Sequence, residues 1–122
     1  MEKATGLKRV INAFGYSVKG LTATVRGEAA FRQELVLVAV LVPVALLLDV
    51  TRIDRVLMIA SLLLVLIVEL VNSAIESAIN RIGTDHHELS GRAKDQGSAA
   101  VLIALILAAI VWISAIYSLL SS

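Results

Sequence analysis

Apolar side chains crowd into three long stretches of this chain, and the polar positions between them define its elements. Residues 35–48 form a run of 14 without a charge, bounded by Glu34 and Asp49 and containing Pro43, the single proline. Residues 56–68 are equally apolar, and the run continues as a helix only if Glu69, Asn72, Ser73 and Glu76 sit on one face of it. Residues 98–120 carry 23 positions without a charge, enough to cross a hydrocarbon core of roughly 30 Å. Before these runs, Leu7, Val10, Ile11, Phe14, Val18, Leu21 and Val25 recur mostly at steps of three or four, with Lys8, Arg9, Asn12, Lys19 and Arg26 mostly off that stripe. That spacing predicts an amphipathic helix lying in a membrane interface.

The expected fold is all-α and integral to a membrane: an amphipathic surface helix over 1–27 and transmembrane helices over 28–49, 54–82 and 90–120. Gly27 is expected to end or bend the first helix, Pro43 to kink the second or leave a group unpaired, and Ser90 to cap the last. Trp112 and Tyr117 read as span and interface anchors.

Composition sharpens this picture. Hydrophobic residues make up 58% of 122 positions and the mean hydropathy is +0.88, beyond the range of a soluble domain of one-domain length. The basic N-terminal segment has no early apolar run, so a signal peptide is not expected and the internal spans direct insertion. With three spans, residues 1–34 and 80–97 share one side and carry nine Lys and Arg, against Arg52 and Arg55 on the other. The positive-inside rule therefore places the N-terminus in the cytoplasm and the C-terminus outside. A net charge of +1 argues against nucleic acid as a partner, and the lack of cysteine removes thiolate chemistry.

The candidate chemistry lies on the polar face of the middle span. A carboxylate among Leu62, Leu64, Val65, Leu66 and Val68 costs several kcal/mol, so Glu69 calls for a functional reason. At 1.5 Å per residue Glu76 lies ~10 Å from Glu69, nearer the cytoplasmic end of the helix. An embedded carboxylate suits a proton acceptor, and one near water suits a divalent cation, with Glu28 as a second metal carboxylate. Lys94 could meet phosphate charge and Asn72 could donate to a reacting oxygen. The plainer readings are that Glu69, Asn72 and Ser73 simply join helices, that His86 and His87 form a solvated loop, and that Lys94 and Asp95 are a surface pair. No P-loop, G-x-G-x-x-G or kinase catalytic loop is present. Physical reading alone reaches an intramembrane acid–base or ion site.

The string Glu69-Leu70-Val71-Asn72-Ser73-Ala74-Ile75-Glu76 is followed by Arg81-Ile82-Gly83, then by His87-Glu88-Leu89-Ser90-Gly91-Arg92-Ala93-Lys94-Asp95 and Gly97-Ser98-Ala99-Ala100. With Glu28-Ala29-Ala30-Phe31-Arg32-Gln33-Glu34, these motifs resemble the prokaryotic integral-membrane diacylglycerol kinase family over essentially the whole chain. The resemblance implies a homotrimeric inner-membrane kinase, with active sites shared between subunits, that moves the γ-phosphate of ATP to the primary hydroxyl of diacylglycerol. It implies Glu69 as general base, Asn72 as a site-ordering group, and Glu28 and Glu76 as ligands of the Mg2+ of Mg-ATP. Arg9, Tyr16, Asp85, His86, His87, Lys94 and Asp95 match nucleotide-contact positions. Arg9, Glu34, Arg55, Glu69 and Ser98 fall where the family meets its lipid. Asn80 departs from the pattern, in which an Asp commonly follows the second Glu by four residues; a structural part for this position is the favoured reading. Two alternatives are an undecaprenol kinase of the same family and, in a different class, a small proton-coupled transporter using Glu69.

Overall fold

The computed structural model describes residues 5–83 and 87–122, and every element in them is helical. Helix α1 spans Gly6–Gly27 and α2 spans Ala29–Leu47. Helix α3 spans Arg52–Ile82 and α4 spans Glu88–Ser121. The last three are long and apolar enough to cross a membrane, whereas α1 is amphipathic and buries no residue. Asp85 and His86, both expected to contact a nucleotide, lie outside the described residues.

One extended residue separates α1 from α2. Glu28, at φ −125° and ψ 108°, closes α1 by donating its N–H to the Thr24 carbonyl (2.9 Å) and opens α2 by accepting from Arg32 N (3.2 Å). The Arg32 guanidinium reaches back to the carbonyls of Val25 and Arg26, at 2.8 and 3.1 Å. Those are carbonyls that the end of a helix leaves without partners. Gly27 does end α1. Helix α2 runs on through Pro43 as a continuous element.

Helix α3 is the centre of the molecule. It packs against α4 along most of its length and against α2, while the backbones of α2 and α4 do not approach one another. The α4 side of the main seam is small: Gly97, Ala104, Ala108 and Ala115 are its buried residues. Against it α3 buries Met58, Leu62, Val65, Glu69 and Asn72, at steps of three and four. Small residues let two backbones approach closely inside a membrane, where dispersion replaces the hydrophobic effect as the source of association. Two apolar clusters result, one around Ala45, Met58 and Ala115, the other around Val65, Ala104 and Ala108.

Two helix caps and one interhelical bond differ from expectation or extend it. Helix α4 begins before Ser90: His87 is its N-cap, with Nδ1 accepting from Leu89 N at 3.1 Å, and Ser90 lies inside the helix. The imidazole nitrogen supplies the acceptor that a hydroxyl was expected to supply. Thr51 caps α3 by accepting from Asp54 N at 3.1 Å. Trp112 turns inward, donating its indole N–H to the Met58 carbonyl at 3.1 Å and packing on the Met58 cluster, so it ties α4 to α3 and is not a free interface anchor. Tyr117 is exposed.

Candidate active site

The polar face of α3 is where four carboxylates meet. Glu69 is buried, 6% exposed, although it lies on a helix flanked by leucine and valine. Glu34 of α2 stands beside it, and Glu28 and Glu76 are close enough to act on it electrostatically. Each comes from a different local device: Glu28 from the break between α1 and α2, Glu34 from the second turn of α2, and Glu69 and Glu76 from α3, about two turns apart. The one ion pair among the described residues, Arg92 to Glu88 at 3.6 Å, lies elsewhere on the exposed start of α4. The gathered carboxylates thus have no cationic side chain bonded to them among the described residues.

Asn72 organises the lower half of this face. Its Nδ2 donates to Glu76 Oε1 at 3.1 Å, one turn along the helix. The sequence suggested donation to a reacting oxygen, but in this structure the amide holds a carboxylate. Asn72 Oδ1, Ser73 Oγ and Glu34 Oε2 are buried without a hydrogen-bond partner. Buried polar atoms are normally paired, and of these three residues Ser73 is the one that also lines a cleft where a ligand could partner it. The cleft, of about 400 Å3, lies between the end of α1 and the C-terminal half of α3 and is lined by Gly20, Thr24, Glu28, Ser73 and Ser77 among others.

Other expected site residues are distributed around this face. Lys94 is exposed on the second turn of α4 and donates through Nζ to Asn80 Oδ1 at 3.0 Å, instead of pairing with Asp95. Asn80 is one turn beyond Glu76, so the contact brings the ammonium group to the open end of the carboxylate face. Asp95 and Ser98 are exposed on α4, and Arg9 and Tyr16 are exposed on α1, away from the cleft-lining turns. His87 is engaged as the α4 cap. Arg55 lies at the other end of α3, where Nε and Nη2 donate to the carbonyls of Ala45 (3.0 Å) and Leu48 (2.8 Å) and so close α2. Within one chain, Arg55 is not brought to the Glu69 face. Sequence reasoning missed Asn80 as a partner of Lys94. The departure from the family pattern at Asn80 was the signal that could have flagged it.

A buried carboxylate face on a membrane helix, open at one end to a cleft beside a surface helix, defines a membrane-embedded enzyme whose substrate arrives from the bilayer. Residues 15–116 match the family described as prokaryotic diacylglycerol kinase. The chain belongs to that family. It is 59% identical to the diacylglycerol kinase of Escherichia coli strain K12 over 114 residues, 93% of each chain. It is 57% identical to that of Pseudomonas aeruginosa over 108 residues, 88% of each. With the diacylglycerol kinase of Haemophilus influenzae it shares 53% identity over 112 residues, covering 92% of this chain and 95% of that one.

Proposed function

We propose that the carboxylate face of α3 transfers the γ-phosphate of ATP to the primary hydroxyl of diacylglycerol, yielding phosphatidic acid. The chain is a bacterial membrane protein and an ATP-dependent lipid kinase by family. One observation supports placing the reaction here: Glu28, Glu34 and Glu76 surround the buried Glu69 with no basic partner among the described residues. Such a group of like charges is stable only when protons or a cation join it.

Glu69, the most enclosed of the four, orients the lipid hydroxyl and takes its proton. Phosphoryl transfer passes through a loose transition state, so positioning matters more than early deprotonation. Glu28 and Glu76 are suited to the magnesium of Mg-ATP. No described group of three or more His, Asp or Glu could enclose an ion, yet two carboxylates suffice where phosphate oxygens complete the shell. Magnesium bound there would neutralise triphosphate charge. Asn72 fixes Glu76. Lys94 meets phosphate, with Arg9, Tyr16, Asp85, His86, His87 and Asp95 as further nucleotide contacts. Arg9, Glu34, Arg55 and Ser98 are the residues proposed to meet the lipid.

The same reading makes the protein a homotrimer in the inner membrane, with its N-terminus in the cytoplasm. Bare apolar flanks on α2 and α4, including Val36, Val40, Ile103, Ile106 and Ile110, support neighbours or lipid on both sides of α3. Subunits that share sites would also give the distant Arg9 and Arg55 a route to a partner's face. Neither the undecaprenol kinase nor the transporter is favoured by relatives named diacylglycerol kinase at 53–59% identity.

The test is transfer of radiolabelled phosphate from Mg-ATP in mixed micelles containing either diacylglycerol or undecaprenol. Labelled phosphatidic acid is expected. Label in undecaprenyl phosphate alone would change the acceptor, and label in neither lipid, from folded protein, would remove the kinase assignment.

A further inference from the structure

We infer that Gly97 is a positioning residue: its missing side chain seats Asn72, and through Asn72 it aims the Glu76 carboxylate. This rests on the reading of Glu76 as a ligand of the nucleotide-bound metal. Gly97 is the buried residue of α4 at the level of the active face, and it is unlike every other glycine with a described environment. A Cβ built on Gly6, Gly15, Gly20, Gly27, Gly83 or Gly91 meets nothing within 4 Å. On Gly97 it lands on Asn72 Oδ1 and comes within 3.2 Å of Asn72 Cγ. The amide oxygen therefore points end-on at the α4 backbone, into space that the Cβ of any other residue would fill.

The orientation of that amide is not free. Nδ2 donates to Glu76 Oε1 at 3.1 Å. Turning the group over would set its oxygen against a carboxylate oxygen and lose the bond. Oδ1 must then face α4, where it has no conventional donor. A Gly97 Cα–H points along the direction in which a Cβ would reach it, the geometry of the weak C–H···O contacts found between close-packed helices. Adding a methyl group forces Asn72 off this position, because neither the α3 nor the α4 backbone can retreat without opening the Ala104–Ala108 seam. Glu76 then loses the donor that holds it.

The sign of the effect separates this from ordinary helix energetics. Glycine inside a helix is less favourable than alanine by about 1 kcal/mol. Gly97→Ala should therefore stabilise α4 if only helix propensity counts, and Gly91→Ala, made in open space on the same helix, reports that gain alone. Binding of Mn2+-ATP, followed by electron paramagnetic resonance of the ion, reads the site without turnover. Gly97→Ala and Asn72→Ala are each expected to weaken it about tenfold, the double variant to bind no worse than Asn72→Ala, and Gly91→Ala to bind as the parent does. Parent-like binding by Gly97→Ala, additive losses in the double variant, or an equal loss in Gly91→Ala would overturn the role of Gly97. Should Gly97→Ala fail to fold, adding Asn72→Ala must restore folding; no rescue also overturns it. Glu76→Gln in the same assay keeps the two levels apart. Unchanged binding there removes the metal role of Glu76, whereas weakened binding there beside an unaffected Gly97→Ala removes Gly97 alone.

Discussion

Two carboxylates on one helix face differ in enclosure, and the roles proposed for them divide along that difference. Glu69 is buried, and Glu76 is half-exposed about two turns nearer the end of α3, held by Asn72. Glu69→Gln keeps shape and removes the proton acceptor, so kcat should fall about a hundred- to ten-thousand-fold. Mn2+-ATP binding by the same variant should stay within about twofold of the parent, since the acceptor acts on the other substrate. Glu76→Gln should show the reverse emphasis, with a raised KM for Mg-ATP. Equal, mild effects of both would sink the division of labour. Asn80 offers a finer test: Asn80→Ala frees the Lys94 ammonium and should raise the KM for Mg-ATP about threefold with kcat unchanged, while Asn80→Asp keeps the contact as an ion pair and holds KM within about twofold. Glu69 was legible in the sequence because a charge among leucines is costly wherever the chain folds. The Lys94–Asn80 bond was not, since it joins residues 14 apart on two different helices. Gly97 was visible only as one small residue among several, since its meaning lies in the Asn72 amide across the helix interface.

At the level of elements, the periodicity of α3 and the charge-free length of α4 announced helices, whereas how they pack was hidden. Helix α4 is apolar on every side, so its amphipathic signal is weak and no face declares itself. The packing face is marked by size instead: Gly97, Ala104, Ala108 and Ala115 line it. Ala108→Leu should overfill the seam against Val65 and cost about 1–3 kcal/mol. Unfolding by sodium dodecyl sulfate in mixed micelles, followed by circular dichroism, would show it, and an unshifted midpoint would mean that the helices do not close on Ala108. Helix starts follow a similar logic. Ser90 was the reasonable cap by residue type, but α4 extends to Glu88 and the His87 ring nitrogen takes that place. Thr51→Ala removes the acceptor for Asp54 N and should cost about 0.5–2 kcal/mol in the same assay.

The whole molecule is too open to be stable in water as a single chain. Its accessible surface is 9057 Å2, where a globular protein of this mass would expose about 6,300 Å2. The exposed surface includes many leucine, isoleucine and valine side chains on all four helices, the largest share of them on α4, which a bilayer or neighbouring subunits must cover. Orientation in that bilayer follows from charge, and it decides whether the open end of the carboxylate face meets cytoplasmic ATP. Nine Lys and Arg flank the side that holds α1 and the α3–α4 connection, and two flank the other. The chain contains no cysteine, so single cysteines report topology without background. In intact cells a membrane-impermeant maleimide should label Ser122→Cys and spare Lys19→Cys; after permeabilisation both should react. Lys19 and Ser122 are exposed in the structure, so silence reflects the membrane and not packing. The reversed pattern would place Asn80, Lys94 and the mouth of the site outside, away from ATP, and the kinase mechanism would then have to draw its nucleotide from the wrong side of the membrane.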